Sequence, residues 1–418
     1  MSSVIVIDPK ADRDLHALCA AEADRHRRPF VFFNPMLPFY SQPINILGSA
    51  ETPAEVIDRI KSLMPESKET FYTDLLSALL LHLATAQHVL GVPWTLEGLY
   101  RVSSIRLDME LLIQRYLVDY LGVFAPGRLP AIIAEYEKQK ADGRIPPDLT
   151  ADSLIEDYRW PGEHYRKITA GLVPTFHGVI GGTIGHLLSP VGGALTWHDI
   201  VQERMVVYIG LSSMVLGDIA NRIGRLFLQD LVGFLGRSYL LKDTASLPPI
   251  TIPIDEAGKV LYRGFNDGIN KGGGANARFI LASQSRWDFV TAMGEDHAKQ
   301  LEDNLGFQIT FRLSDQQTAE LTARDPATVE HQEPPSPGIS YGGVGGLTGH
   351  VQARTSHRET PSIRPSWLLA LPRGHCYARL SGLWYKLRVP LLKPVPKATL
   401  DRLGLTKMWA DLDPDTIH

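Results

Sequence analysis

Cysteine is scarce in this chain: Cys19 and Cys376 are the only two in 418 residues. That excludes a disulfide scaffold and a Cys-rich zinc site, and both read as free thiols in a reducing compartment. Long apolar runs are missing too. The nearest approach, Val173 to Trp197, is interrupted by His177, His186, Ser189 and Pro190 and is rich in glycine. A spanning helix needs about 20 consecutive apolar residues, so this segment reads as buried or helical protein. The opening Met1–Asp8 has no basic stretch followed by a long apolar one. Charge of one sign is also lacking. Lys and Arg number 42 against 46 Asp and Glu, a formal net charge of −4. This excludes a polycation that coats nucleic acid nonspecifically, so any such contact needs a local basic surface or a ring-shaped channel. Neither Gly-x-Ser-x-Gly, His-Glu-x-x-His nor Cys-x-x-Cys occurs.

What is present is an ordinary globular composition, 44% hydrophobic and 21% charged. At roughly 150 residues per domain the length suggests two or three domains, or one large α/β domain with an insertion. Solid apolar runs recur at Val4–Ile7, Phe30–Phe33, Met205–Ile209, Ile250–Ile254, Phe279–Ala282 and Phe307–Leu313. Such runs suit strands buried on both faces. Helical stretches such as Asp12–Ala23 and Leu216–Leu241 separate most of them. This order predicts an α/β fold with a mostly parallel sheet flanked by helices. The stretch between the second and third runs has little strand character. Amphipathic patterns at Phe71–Leu83, Leu107–Val123, Ala131–Lys140 and Ser153–Ile168 predict an inserted all-α subdomain. Glycine-rich Gly178–Gly185 reads as a helix–helix contact or a loop. Asp325–His357 reads as a flexible Pro/Gly-rich linker. Its His350 and His357 read as solvated rather than as metal ligands. A late hairpin is predicted over His375–Arg379 and Leu383–Val389, with Cys376 in its core.

The sharpest motif is Pro249-Ile-Thr-Ile-Pro-Ile254-Asp255-Glu256. An apolar strand ending in adjacent carboxylates has the shape of a Walker B segment, because a parallel sheet presents its ligands at strand C-ends. There Asp255 would hold the water shell of Mg²⁺ and Glu256 would orient or deprotonate the attacking water. A strand running into a solvated turn reads the same way. Phe279-Ile-Leu-Ala-Ser-Gln284 is a second strand with a polar tip, and an amide at Gln284 can both donate and accept at a γ-phosphate. Arg312, after the Phe307–Phe311 run, is a candidate phosphate contact or a surface arginine. The Glu22–Arg28 charge run reads as the exposed end of the first helix. A phosphate loop, Gly-x-x-x-x-Gly-Lys-Ser/Thr, is absent: Gly258-Lys259 is followed by Val260, Lys271-Gly-Gly-Gly274 lacks the motif, and Tyr341–Gly349 has no lysine.

The ordered set Val4-Ile-Val-Ile-Asp-Pro-Lys10, Ile252-Pro-Ile-Asp255-Glu256, Asn270-Lys-Gly-Gly-Gly-Ala-Asn-Ala-Arg-Phe-Ile-Leu-Ala-Ser-Gln284 and Asn304–Asp315 followed by Thr318-Ala-Glu resembles the type IV coupling proteins of bacterial conjugation, the TraD/TraG class. It is most similar to versions carried by integrative conjugative elements. Leu371–Leu380 and Leu383–Arg388 resemble that family's C-terminal part. The resemblance implies a RecA/FtsK-like ATPase with an inserted all-helical domain, using ATP and Mg²⁺ and assembling as a homo-hexamer. It also implies a relaxase-bound single DNA strand, relaxosome and type IV secretion proteins as partners, and a position at the cytoplasmic side of the bacterial inner membrane. Carried over by position, Asp255 and Glu256 match the Walker B pair with Asp255 on the metal, and Gln284 matches the next strand's glutamine. Asp8 and Lys10 match a nucleotide-side segment on the strand after the phosphate-loop helix.

The implied division is 1–68, first part of the RecA-like domain; 69–189, the helical insertion; 190–395, the second part; and 396–418, a polar peripheral tail. The family's transmembrane helices and phosphate loop are expected before Val4. Its arginine-finger position is Gly273. A non-catalytic module from a split or truncated gene, docking DNA, a relaxase or an intact ATPase subunit, is the alternative. A HerA-like ATPase outside conjugation is a weaker one.

Overall fold

The computed structural model describes residues 2–64, 70–190, 194–240, 247–324, 328–332, 357–361, 363–380 and 383–411. The predicted linker is almost wholly outside the described residues, as are the hairpin turn at 381–382 and His350. The chain forms two compact units, residues 1–298 with 394–418, and residues 299–393.

The first unit is built on a five-stranded sheet of β1 (Ser3–Asp8), β2 (Phe30–Phe33), β3 (Val206–Gly210), β4 (Ile250–Ile254) and β5 (Ala277–Leu281). Its order is β2-β3-β1-β4-β5, and every pairing is parallel. β3 is buried along its whole length, as the unbroken apolar run predicts. α1 (Arg13–Arg25) begins at Asp12, whose carboxylate accepts from Leu15 N at 2.8 Å. That N-cap satisfies one of the free amides of the first turn.

β2 is followed by α2 (Pro53–Leu63) and then by the helical region: α3 (Thr70–Val89), α4 (Leu96–Ser104), α5 (Arg106–Arg115), α6 (Leu129–Ala141), α7 (Leu149–Arg159), α8 (Gly162–Thr169), α9 (Leu172–Ile180) and α10 (Thr183–Leu188). Leu79, Leu83, Leu99, Met109, Ile113, Tyr136 and Leu154 are fully buried there. The predicted single helix over Ser153–Ile168 is two helices. Pro161 stands at the N-cap of the second and starts a new helix instead of continuing the old one. The glycine-rich segment is the turn between α9 and α10. Gly182 has φ +62°, and a side chain on Gly185 would lie 2.3 Å from the Ile180 carbonyl.

α11 (Trp197–Gln202) leads into β3, and α12 (Ser213–Leu216) leaves it for α13 (Asp218–Leu240). α14 (Phe265–Gly272) joins β4 to β5, and α15 (Arg286–Met293) and α16 (Glu295–Asn304) follow β5. α1 and α13 lie on opposite faces of the sheet. Phe32 packs in one cluster with Ala17 and Ala20 of α1, whereas its neighbour Phe33 meets Phe227 of α13 edge-on at 4.8 Å. Side chains alternate across a strand, so adjacent residues report opposite faces.

Two expectations are revised. Phe307–Leu313 is not a buried strand of the parallel sheet. β6 (Phe307–Thr310) belongs to the second unit, where it pairs antiparallel with β9 (His375–Leu380) in the order β10-β9-β6, β10 being Leu383–Arg388. Phe307 and Ile309 are about half exposed, because an antiparallel sheet can leave one face uncovered. In that unit α17 (Gln316–Arg324) and α18 (Pro365–Leu369) share a core of Ala319, Ala323, Ile363, Leu368 and Leu371. β7 (Thr328–Gln332) pairs antiparallel with β8 (His357–Pro361). Nor are the last described residues a peripheral tail. α19 (Lys397–Arg402) and α20 (Leu405–Ala410) pack Leu400, Leu405, Met408 and Trp409 into the α1 cluster, and Arg402 bridges Asp24 at 2.7 Å. Apolar residues at helical spacing outweigh the polar composition of that stretch.

A buried ion pair ties α2 to α13. Arg59 Nη1 lies 2.5 Å from Asp230 Oδ1, with both side chains almost fully buried. Trp197 Nε1 donates to Asp230 and Arg59 Nη2 donates to Ser49 Oγ at 3.0 Å. Burial pushes the Asp230 carboxyl upward against the pull of Arg59. Asp230→Ala would take from a buried guanidinium its nearer counter-charge, leaving Glu55 at 3.8 Å. The expected loss is about 3–5 kcal/mol in urea unfolding, with most of it regained in Arg59→Met/Asp230→Leu.

Candidate functional site

The C-terminal ends of β1 and β4 lie side by side, held by Asp255 N donating to the Ile7 carbonyl at 3.0 Å. β5 continues the ladder: Ala282 N donates to the Ile254 carbonyl at 2.9 Å, and Ala257 N to the Ala282 carbonyl at 2.8 Å. Three adjacent strand tips therefore deliver Lys10, the Asp255-Glu256 pair and Gln284 to one place. Glu256 has φ +42°, a left-handed conformation uncommon for a residue with a side chain. Such strain clusters where a side chain must be aimed.

Glu256 is the centre of the group. Its Oε1 lies 2.5 Å from the Lys10 ammonium and also accepts from Gln284 Nε2. Its side chain is largely covered, whereas that of Lys10 is 44% exposed. The contact with Glu256 raises the Lys10 ammonium above its ordinary range. Asp255, beside it, is half-buried. Desolvation pushes its carboxyl upward and nearby Asp8 adds to the shift, against the backbone amide of Glu256 and the charge of Lys10. Following Glu256, a side chain on Gly258 would lie 2.7–2.9 Å from Asp288 atoms, so this glycine lets the turn close on α15. Ser285 and Asp288 form a capping box at the start of α15, just after Gln284.

Asp8 does a different job from the nucleotide contact expected of it. It is fully buried and accepts from the amides of Lys10, Ala11 and Asp12 at 2.9, 3.1 and 2.7 Å, and from Tyr208 Oη at 2.5 Å. The carboxylate works inside the protein, folding the turn that aims Lys10. Arg312 belongs to the second unit, exposed in the segment after β6. Sequence reading also passed over Arg28. Its guanidinium donates to the carbonyls of Ser2, Arg204 and Met205 at 2.6, 2.7 and 3.1 Å, closing the opposite end of the sheet. A charge run shows cations but not which of them turns inward.

Among the described residues no cluster of three or more His, Cys, Asp or Glu side chains is arranged to hold a metal ion. Mg²⁺ commonly takes only one or two carboxylates, with waters and substrate phosphates completing its shell. A single hard-oxygen donor such as Asp255, standing beside two further carboxylates and one ammonium, fits that requirement. No helix among the described residues is long and apolar enough to cross a membrane.

Residues 249–373 match the family model described as the TraM recognition site of TraD and TraG. No curated protein matches the chain significantly. Solved structures share its architecture over most of its length. The bacterial conjugative coupling protein TrwBdeltaN70, in its unbound monoclinic form, is 13% identical with a TM-score of 0.53, covering 93% of this chain and 84% of that one. The plasmid coupling protein TrwB in complex with ADP and Mg²⁺ is 12% identical with a TM-score of 0.53, covering 94% and 86%. TrwB with a non-hydrolysable GTP analogue matches at 13% identity and a TM-score of 0.52, covering 94% and 86%. The fold is therefore the mostly parallel, RecA-like sheet with helices seen in a conjugative coupling protein. The match over 249–373 is to a segment of TraD and TraG, and the fold of the chain is that of a conjugative coupling protein.

The upward shift at Asp255 yields a sign. A carboxyl raised in the folded state is protonated in both states below about pH 3.8, so there it costs folding nothing. The penalty grows as pH rises through the raised value and is constant above it. Asp255→Asn should therefore raise the Tm at pH 7, with the gain shrinking toward zero on acidification. Equal melting of variant and parent at all pH values would show that the Asp255 charge is not strained.

Proposed function

We propose that this chain is the core of a conjugative coupling ATPase, which couples ATP hydrolysis to recruitment of a relaxase-bound single DNA strand and its delivery into a type IV secretion channel. The observation that carries the reading is the convergence of Lys10, Asp255, Glu256 and Gln284 at three neighbouring parallel strand tips. Asp255 would hold Mg²⁺, and the metal's contribution when bound is to neutralise charge on the β- and γ-phosphates. Glu256 orients or deprotonates the attacking water, and Gln284 senses the γ-phosphate. The Lys10–Glu256 pair keeps the carboxylate engaged at rest, and attraction of Lys10 to an anionic substrate releases it. The TrwB complexes with ADP and Mg²⁺ and with nucleotide analogues agree with a nucleotide role. A homo-hexamer with ATP at its subunit seams, and relaxosome and secretion partners near the membrane, complete this reading.

A phosphate loop has to come from another segment, because the sequence contains none. The sheet has room for one. Among the described residues β5 is an edge strand. On the α1 side of the sheet Arg278 and Ile280 are exposed, Ile280 by 56%, and Thr251 and Pro253 are only half covered. Parallel sheets are ordinarily covered on both faces, so a further strand and helix fit here. The same absence favours a second reading, a non-catalytic module that docks DNA, a relaxase or an intact subunit.

Glu256→Gln, in an assembly that supplies the phosphate loop, should abolish DNA-stimulated ATP hydrolysis while nucleotide binding persists. Unchanged turnover sinks the catalytic assignment. Titrating this polypeptide alone with Mg²⁺-ATP separates the two readings, since tight binding argues against the non-catalytic module.

A further inference from the structure

The second unit leaves one face of its sheet uncovered. The antiparallel register sets residues in rows across the strands, Phe307–Leu380–Leu383, then Ile309–Ala378–Tyr385, then Cys376–Leu387. Residues opposite one another share a face, and the residues between them along each strand point to the other face. That other face carries Tyr377 and Trp384, which pack on the α17–α18 core. The face of the rows holds no charged side chain. Its small residues on the central strand, Cys376 and Ala378, are covered, whereas Phe307, Ile309, Leu380, Leu383, Tyr385 and Leu387 are each 43–61% exposed. A single exposed apolar residue is ordinary, but a contiguous face of them marks an interaction surface.

Two further observations indicate what covers it. First, the chain leaving β10 stays apolar and projects outward: Leu391 is 97% exposed and Leu392 71%. Second, the charge around this surface has one sign. From Thr360 to Leu400 the chain carries seven Lys and Arg and no Asp or Glu, although the whole chain is net negative. Lys386 and Arg388 of β10, and Lys393 just after it, are exposed. By strand alternation Lys386 and Arg388 project from the face opposite Leu383, Tyr385 and Leu387. Among the described residues β10 is an edge strand, so it presents apolar side chains to one side and cations to the other.

We propose that this face docks on an anionic lipid surface, as a peripheral contact of the second unit. An interfacial element lies with its apolar side about 5–10 Å into the boundary between headgroups and acyl chains, and cations on its polar side engage the anionic lipids. β10 with Leu391 and Leu392 has that anatomy. Clustered cations with no carboxylate among them are what a negatively charged leaflet attracts. A flat face suits a bilayer, which offers area and charge and asks for no matching relief. Nucleic acid fits this surface less well. Single strands are held by aromatic faces and cations lining one groove, whereas here the apolar face is mostly aliphatic and the exposed cations of β10 stand behind it. A second copy would bring like charges together. The surface lies wholly within residues 299–393 and includes none of the Glu256 group, so it does not depend on the nucleotide role.

The test is co-sedimentation of the full chain with vesicles of phosphatidylglycerol and phosphatidylcholine in equal parts, against vesicles of phosphatidylcholine alone. Binding to the anionic vesicles about tenfold tighter or more, and falling as salt rises, is expected. Reversing charge in Lys386→Glu/Arg388→Glu should weaken that binding about tenfold or more. Leu391→Ser/Leu392→Ser should weaken it severalfold while its salt dependence stays. All four positions are exposed, so both variants should melt as the parent does. No binding to anionic vesicles, equal binding to neutral ones, or full affinity in both double variants overturns the proposal. Capture of a single-stranded oligodeoxynucleotide that Lys386→Glu/Arg388→Glu abolishes, without vesicle binding, assigns the surface to nucleic acid and overturns it equally.

Discussion

The first unit depends on one buried carboxylate. Asp8 ends the strand next to β4, and its oxygens take three successive backbone amides and one tyrosine hydroxyl. An unpaired buried carboxylate is costly, so the Pro9–Asp12 turn has to close around it. That closure aims Lys10 at Glu256 and places Asp12 as the cap of α1. It also holds Tyr208, which stacks on His16. Ser213 N, from the β3 loop, donates to the Pro9 carbonyl at 2.7 Å, so the neighbouring loop is fastened to the same turn.

Sheet order then decides which polar groups can meet. β4 lies between β1 and β5, so the tips bearing Lys10, Glu256 and Gln284 are nearest neighbours although far apart along the chain. Lys10 and Gln284 both engage the same oxygen of Glu256. A carboxylate held by an ammonium and an amide is oriented and kept from wandering, and it is also occupied. A water-activating role requires that hold to loosen, and an exposed lysine at the rim can respond to an incoming anion. Desolvation and the nearby Asp8 hold the Asp255 carboxyl above its ordinary range.

Much of this was legible in the sequence. The apolar runs ending in Asp8, in Asp255-Glu256 and before Gln284 are strand tips, and the helical region follows from its amphipathic patterns. The misreadings have identifiable causes. Phe307–Phe311 is as apolar as a central strand, but its pairing partner is an antiparallel hairpin far along the chain, and local composition carries no information on partners. Residues 397–410 look polar by composition. Leu400, Leu405, Met408 and Trp409 nevertheless form one face that is completed only against α1. Asp8 carries the right chemistry for a ligand contact, but the protein's own amides reach it first.

The sequence by itself determined the class of fold, the helical region and the candidate residues Asp255, Glu256 and Gln284, because strand burial and helical periodicity are local patterns with period 2.0 or 3.6. Only the tertiary structure decided that Lys10 pairs with Glu256, that Asp230 pairs with Arg59, and that His16 stacks on Phe32 and Tyr208. Each of those depends on the strand order β2-β3-β1-β4-β5 and on which face each helix covers. Those are long-range choices, made by burial of whole surfaces, and no short stretch of chain encodes them alone.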